Sequence, residues 1–122
     1  MKKEATTFIE HILECIALIE RYTDNKTEEE FFELIQLQDA VIRRIEIIGE
    51  AVKNIPDGIK GKYPEIPWKE IAGMRDILIH EYLGIDLELT WEVVTRDIPD
   101  LKTKLLRMRK ELVRMKEGVS EV

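Results

Sequence analysis

The stretch that decides the fold runs from Thr27 to Lys53 and reads TEEEFFELIQLQDAVIRRIEIIGEAVK. Thr27 is followed three residues later by Glu30, the spacing of a capping box at the start of a helix. Apolar residues then recur every three or four positions, at Phe31, Leu34, Ile35, Val41, Ile42, Ile45, Ile48 and Val52. This period predicts one long amphipathic helix that ends at about Lys53.

Two residues on this helix are unusual for its apolar face. Gln38 is polar, so we expect it to face another polar group or an interface. Gly49 costs about 1 kcal/mol relative to alanine inside a helix. Such a glycine usually lets a second helix pass close by, so we expect a neighbouring helix to contact the chain at Gly49.

The same helical period continues through the rest of the chain. A first helix is predicted from about Thr7, where Thr7 and Glu10 suggest a capping box, and a loop is predicted over residues 54–66 with a turn at Pro56-Asp57-Gly58. A third helix should run from Pro67 to about Leu83 and stop at Gly84. Asp86 caps a fourth helix, and Pro99 either starts a fifth helix or bends the fourth; the continuous apolar face favours one bent, nearly continuous helix that ends at Gly118. Short connections between such helices favour antiparallel neighbours. We therefore predict an all-α fold, an antiparallel bundle of four to five helices.

Composition agrees with one small domain. The chain has 122 residues, of which 44% are hydrophobic, so we treat residues 1–122 as a single helical domain. The apolar runs are too short for a membrane span, and no apolar segment follows the charged start to make a signal peptide. The single cysteine, Cys15, cannot form an intramolecular disulfide and is expected in the core. These features predict a cytoplasmic protein.

Charge is unevenly distributed. The net charge of −6 argues against a protein that coats nucleic acid, because such binding depends on many phosphate contacts. Basic residues nevertheless concentrate near the end of the chain, at Lys102, Lys104, Arg107, Arg109, Lys110, Arg114 and Lys116. This run is either a solvated helix surface or a local basic face.

The predicted third helix carries an anomaly. Its apolar face contains Arg75, together with Trp68, Ile71, Ala72, Leu78, Ile79 and Tyr82. A buried guanidinium without a partner is very costly, so Arg75 must have a partner or line a polar cleft. Asp76 and His80 are four residues apart on another face, where Asp76 could orient the imidazole.

Two interpretations of this helix remain open. On a helix Arg75 and His80 point in different directions, so a second copy of the chain would complete a phosphate site more easily than one copy. Alternatively, Arg75 pairs with Glu46 or Glu50 of the second helix, and His80 is a surface histidine.

The sequence lacks the motifs of other common active sites. The chain has no glycine-rich phosphate loop, no C-x-x-C pair and no H-E-x-x-H motif. Ser120 is the only serine, which argues against a serine nucleophile, and His11 and His80 are too isolated to form a metal site. We therefore predict neither a metal nor a cofactor.

At Arg75, His80 and Tyr82 the chain resembles a known family. These residues fit the R-x4-H-x-Y motif of HEPN-domain toxins of the HepT type, which pair with minimal nucleotidyltransferase (MNT) antitoxins. The resemblance extends over about residues 5–110 and includes three blocks in order: RRIEIIGEA at 43–51, YPEIPWKEIAGMRD at 63–76, and YLGID at 82–86 followed by Trp91.

The resemblance implies a HEPN-like bundle that forms a homodimer, with Arg75 and His80 of both subunits meeting in a cleft. It implies a metal-independent endoribonuclease that cleaves RNA by attack of the 2′-hydroxyl. It also implies an MNT antitoxin partner that inhibits the enzyme by transferring AMP to Tyr82. The chain departs from the usual motif at Asp76, where asparagine is common, and a carboxylate there would repel the scissile phosphate.

Two further hypotheses stay open. The acidic net charge and Asp76 are compatible with a non-catalytic helical module that binds a nucleotidyltransferase. The basic last helix and Arg75 are compatible with binding of RNA or nucleotides without cleavage.

Overall fold

The computed structural model describes residues 4–80 and 83–116. Its helices are α1 (Ala5–Thr23), α2 (Glu28–Glu33), α3 (Ile35–Lys53), α4 (Asp57–Lys60), α5 (Trp68–Ala72), α6 (Met74–Leu78), α7 (Leu87–Glu92) and α8 (Ile98–Lys116), with a π-helical turn at Val93–Asp97. Two short strands, β1 (Ile79–His80) and β2 (Gly84–Ile85), pair in antiparallel. The predicted all-α fold is confirmed. None of the described helices is long and apolar enough to span a membrane.

The core lies between α1, α3 and α8. The apolar faces of these helices bury Ile9, Ile12, Cys15, Ile16, Ile19, Val41, Ile45, Ile48, Val52, Leu105 and Met108. Two ion pairs fix the direction of α8: Lys102 contacts Glu20 at 3.0 Å, and Arg109 contacts Glu10 at 3.3 Å. Because the residue number rises along α8 as it falls along α1, these two helices are antiparallel.

The predicted second helix is divided in two. Its capping box is confirmed, since the Glu30 N–H donates to Thr27 Oγ1 and the Thr27 N–H donates to Glu30 Oε1, both at 3.1 Å. The helix breaks at Leu34, whose backbone is extended at φ −99° and ψ 92°. Leu34 and Ile35 are consequently 42% and 70% exposed, so their predicted place on the apolar face is wrong.

Gln38 bridges this break. Its side-chain amide donates to the backbone carbonyls of Phe31 and Phe32, at 2.9 and 3.1 Å. These carbonyls lie at the end of α2, where they have no partner within the helix. The prediction that the buried Gln38 faces polar groups is therefore confirmed, and its partners are backbone atoms.

Two predicted boundaries near the loops are wrong. Helix α1 begins at Ala5 without a side-chain cap, so Thr7 lies inside its first turn and not at a capping box. The predicted loop over residues 54–66 contains the one-turn helix α4, which starts directly after Pro56. Proline fixes φ near the helical value and lacks the N–H that the first turn leaves unpaired, so it favours a helix start there.

The last helices follow one another almost without interruption, as predicted, and the predicted end at Gly118 lies outside the described residues. Asp86 caps α7 by accepting the Leu89 N–H at 3.1 Å. The π-helical turn Val93–Asp97 then leads directly into α8. Pro99 lacks an N–H and crowds the carbonyl four residues earlier, that of Thr95, so a wider turn at this point relieves the conflict.

The predicted third helix requires the largest correction. It is interrupted at Gly73 and ends at Leu78, not near Leu83. The Leu78 carbonyl accepts the Asp86 N–H at 2.7 Å, and Ile79 pairs with Ile85. Gly84, predicted as the helix stop, lies instead in β2 with a φ of +82°, a conformation that glycine adopts without strain.

Candidate active site beside α3 and α6

A close backbone contact places the segment that carries Arg75 against α3. A Cβ atom added to Gly49 would lie 3.2 Å from the Ala72 carbonyl oxygen and 3.3 Å from that of Ile71. Glycine is therefore the residue that lets α5 approach α3 this closely. The prediction that another helix passes close to Gly49 is confirmed.

Arg75 lies one turn beyond this contact, on α6. Its side chain is 48% exposed, and its Nε atom lies 2.5 Å from Oε2 of Glu46. The prediction that Arg75 has a partner is thus confirmed, with Glu46 as that partner. Its expected place on a buried apolar face is wrong, because the helical segments break at Gly73 and leave α6 at the surface.

Glu46 also contacts a second cation. Its Oε1 atom forms an ion pair with Nη1 of Arg43, three residues earlier on α3. The hydrogen bond from Arg43 and the positive charge of Arg75 lower the pKa of Glu46. The carboxylate is therefore ionised at neutral pH and lies between two guanidinium groups.

Arg75 lines an open cleft of about 190 Å³ between α3, α5 and α6. The lining residues are Ile45, Glu46, Gly49, Glu50, Lys53, Ala72, Arg75 and Asp76. Asp76 is 86% exposed at its side chain, and its Oδ1 atom lies 3.8 Å from Nη1 of Arg75. The cleft thus combines Lys53 and Arg75 with three carboxylates, those of Glu46, Glu50 and Asp76.

His80 lies outside this cleft. It belongs to β1, its side chain is exposed, and its backbone pairs with Gly84. Because α6 ends at Leu78, the four-residue spacing of Asp76 and His80 does not place them on one helix face. Within residues 4–80 and 83–116, no hydrogen bond or ion pair joins His80 to Arg75 or Asp76.

Tyr82, the predicted modification site, lies outside the described residues. Arg75 and Tyr82 were expected on one face of a helix that runs to about Leu83. That helix ends at Leu78, so this expectation is wrong. The two residues are linked here through sequence only, as members of the R-x4-H-x-Y motif.

Sequence reasoning missed the hairpin and the second partner of Glu46. The hairpin has no local signal, because the apolar period of the helix continues past Leu78 and the strands form through contacts with residues 84–86. The three-residue spacing of Arg43 and Glu46, by contrast, indicates a contact on a helix. In the described part of the chain, no group of three or more potential ligand side chains is placed to hold a metal ion.

An all-α bundle with an arginine in an open cleft and a histidine five residues later fits the HEPN-type class of helical ribonucleases. A sequence model of HepT-like ribonucleases matches residues 12–108 of the chain. The chain therefore belongs to the HepT-like ribonuclease family.

Curated relatives agree with this assignment. A Methanocaldococcus jannaschii protein, named for gamma-glutamylcyclotransferase and inferred RNase functions, is 59% identical over 97% of this chain, which spans 53% of that protein. The probable ribonuclease HepT of Thermococcus cleftensis is 49% identical over 90% of this chain and 100% of its own length. An inferred RNase of M. jannaschii is 43% identical, with 91% and 92% covered. No solved structure matches the chain significantly.

Proposed function

We propose that this family member is an endoribonuclease that cleaves RNA without a metal ion, by attack of a ribose 2′-hydroxyl on the adjacent phosphorus. Membership of the HepT-like ribonuclease family supports RNA as the substrate. The single observation that carries the mechanism is Arg75, a half-exposed guanidinium held by its Nε atom in an open cleft.

Arg75 and His80 are the proposed catalytic residues. Arg75 binds the non-bridging oxygens of the scissile phosphate and stabilises the charge that develops on them. His80 removes the proton of the 2′-hydroxyl or protonates the leaving 5′-oxygen. The bond from the 2′-oxygen to phosphorus forms as the bond to the 5′-oxygen breaks. The products are a 2′,3′-cyclic phosphate and a 5′-hydroxyl end.

The proposed active form is a homodimer. The reaction uses both a general acid and a general base, and one subunit supplies a single motif histidine, on β1 rather than in the Arg75 cleft. Exposed apolar side chains lie on both sides of His80 in sequence: Ile77 is 49% exposed and Leu83 is 85% exposed. Their burial against a second copy would bring two His80 side chains to a shared site.

We further propose a cytoplasmic toxin controlled by an MNT-type nucleotidyltransferase antitoxin. That partner would transfer AMP from ATP to Tyr82, which follows His80 by two residues. A bulky anion attached there would repel the RNA phosphate. Intact mass after co-expression with the nucleotidyltransferase should rise by one adenylyl group, and Tyr82→Phe should remove this increase.

The test of the ribonuclease proposal uses the purified full chain, single-stranded RNA and excess EDTA. We expect fragments with 2′,3′-cyclic phosphate ends, and loss of cleavage by about 100-fold or more in His80→Ala and in Arg75→Ala. His11→Ala is the matched control, because His11 is an exposed histidine on α1 and should leave the rate unchanged. Equal cleavage by wild type and His80→Ala would contradict the assignment.

The acidic lining of the cleft favours a second candidate, a non-catalytic module that binds a nucleotidyltransferase. Glu46, Glu50 and Asp76 outnumber Lys53 and Arg75 there, which disfavours an RNA phosphate. This candidate predicts a stable complex with the nucleotidyltransferase but no RNA fragments and no growth defect on expression alone. Toxicity that Arg75→Ala relieves would exclude it.

A further inference from the structure

Glu46 contacts two arginines, one with each carboxylate oxygen. Oε1 contacts Nη1 of Arg43 on the same helix, and Oε2 lies 2.5 Å from Nε of Arg75 on α6. The contact with Arg43 restricts rotation of the carboxylate. The carboxylate in turn restricts the guanidinium of Arg75.

The contact through Nε leaves a defined edge of Arg75 open. A guanidinium presents its two Nη atoms as a fork that matches two oxygens of a phosphate. On Arg75 the closest contact with Glu46 is made by Nε, and Oδ1 of Asp76 lies 3.8 Å from Nη1, beyond hydrogen-bonding distance. We propose that Glu46 is a positioning residue that holds Nε of Arg75 so that the Nη fork faces the scissile phosphate. This inference rests on the ribonuclease function proposed above.

The surroundings of both residues support a positioning role. Glu46 stands on the 19-residue helix α3, between the buried residues Ile45 and Ile48. Arg75 stands on α6, a five-residue segment that continues directly into the hairpin. A short surface helix restricts the orientation of a long arginine side chain only weakly. The rigid element that can orient Arg75 is therefore α3, through Glu46.

The charges also allow this role. Arg43 and Arg75 together offset the charge of Glu46, so the carboxylates of the cleft that oppose a phosphate are Glu50 and Asp76. The side chains of Arg75 and Glu46 are 48% and 25% exposed, and ion pairs at this exposure contribute little to stability. Substitution of Glu46 should therefore change the orientation of Arg75 without unfolding the chain.

The kinetic test compares Glu46→Ala and Glu46→Gln with wild type. We expect kcat to fall by about 10-fold or more in Glu46→Ala, because misplaced groups lose transition-state contacts. Glu46→Gln should restore kcat to within about 3-fold of wild type, because its amide oxygen still accepts from Nε. Glu92→Ala is the matched control, since it removes an exposed pair with Arg96 at 2.9 Å, remote from the cleft, and should leave kcat unchanged. Denaturant midpoints should agree for all four proteins.

A second readout does not depend on catalysis. The Nε–H resonance of Arg75, identified by its loss in Arg75→Lys, should shift and exchange faster with water in Glu46→Ala but not in Glu46→Gln. An unchanged resonance, or a Glu46→Ala protein that cleaves as fast as wild type, would overturn the inference. If wild type cleaves no RNA while the resonance responds to Glu46, the ribonuclease proposal fails and the positioning contact stands.

Discussion

The carbonyl oxygen of Ala72 lies 3.2 Å from the position of a Cβ atom on Gly49. Three residues away along each segment, Glu46 contacts Arg75. The two contacts are therefore adjacent. Because Gly49 has no side chain, α5 can lie close to α3, and this short distance allows Glu46 to contact Arg75. The packing of α5 against α3 thus determines whether the Glu46–Arg75 pair can form.

Gly49→Val should weaken both the fold and the site. The new side chain would collide with backbone carbonyls, which cannot rotate away, so α5 must move outward. We expect the free energy of unfolding to fall by about 1–3 kcal/mol and RNA cleavage to fall with it, measured by urea unfolding and initial rates. Gly58→Val is the control, because nothing lies within 4 Å of its added Cβ atom. Equal losses in both variants would mean that the close approach at Gly49 is unimportant.

Asp76→Asn separates two roles for this carboxylate. If Asp76 orients His80, the substitution should lower the cleavage rate. If it only repels the phosphate, the substitution should raise RNA affinity. We expect the second outcome, a several-fold lower KM, because Asp76 is 86% exposed and lies 3.8 Å from Arg75 Nη1. The gain should shrink as salt rises, and a loss of kcat without a change in KM would instead support the orienting role.

From the surroundings of Tyr63 we predict that the protein loses stability at high pH. Burial and the 2.8 Å hydrogen bond that its hydroxyl donates to Glu111 raise the pKa of Tyr63 to about 12 from an ordinary value of 10.0. As pH rises, the unfolded chain loses this proton first. The stability that the protonated Tyr63 hydroxyl contributes to the fold is therefore fully present below about pH 10 and is lost as pH rises to about 12.

The Tyr63→Phe variant should not show this loss of stability, because it has no hydroxyl to ionise. Between about pH 10 and 12 the free energy of unfolding, measured by urea unfolding, should decrease in wild type by roughly 2–3 kcal/mol more than in Tyr63→Phe. Tyr22→Phe is the control and should follow the wild-type curve. Parallel curves for wild type and Tyr63→Phe would show that the hydroxyl of Tyr63 is not protected in the fold.

The amino-acid sequence by itself determined the elements that depend on local rules. The helical period of apolar residues predicted α1, α3 and α8, and the caps at Thr27 and Asp86 were recognisable because a cap involves atoms only three residues apart. Gly49 was predicted as a site of close approach because glycine inside a helix has an unusual cost. The motif around Arg75 and His80 was sufficient to indicate the family.

Only the tertiary structure decided where the segment that carries Arg75 ends and what Arg75 contacts. The apolar period continues past Leu78, so no local rule predicted the stop. The helix ends there because its last carbonyl bonds to Asp86 and the next residues pair with β2, contacts that depend on the chain folding back. The choice of Glu46 over Glu50 was likewise not available from the sequence, because it depends on how α5 and α6 pack across α3 at Gly49.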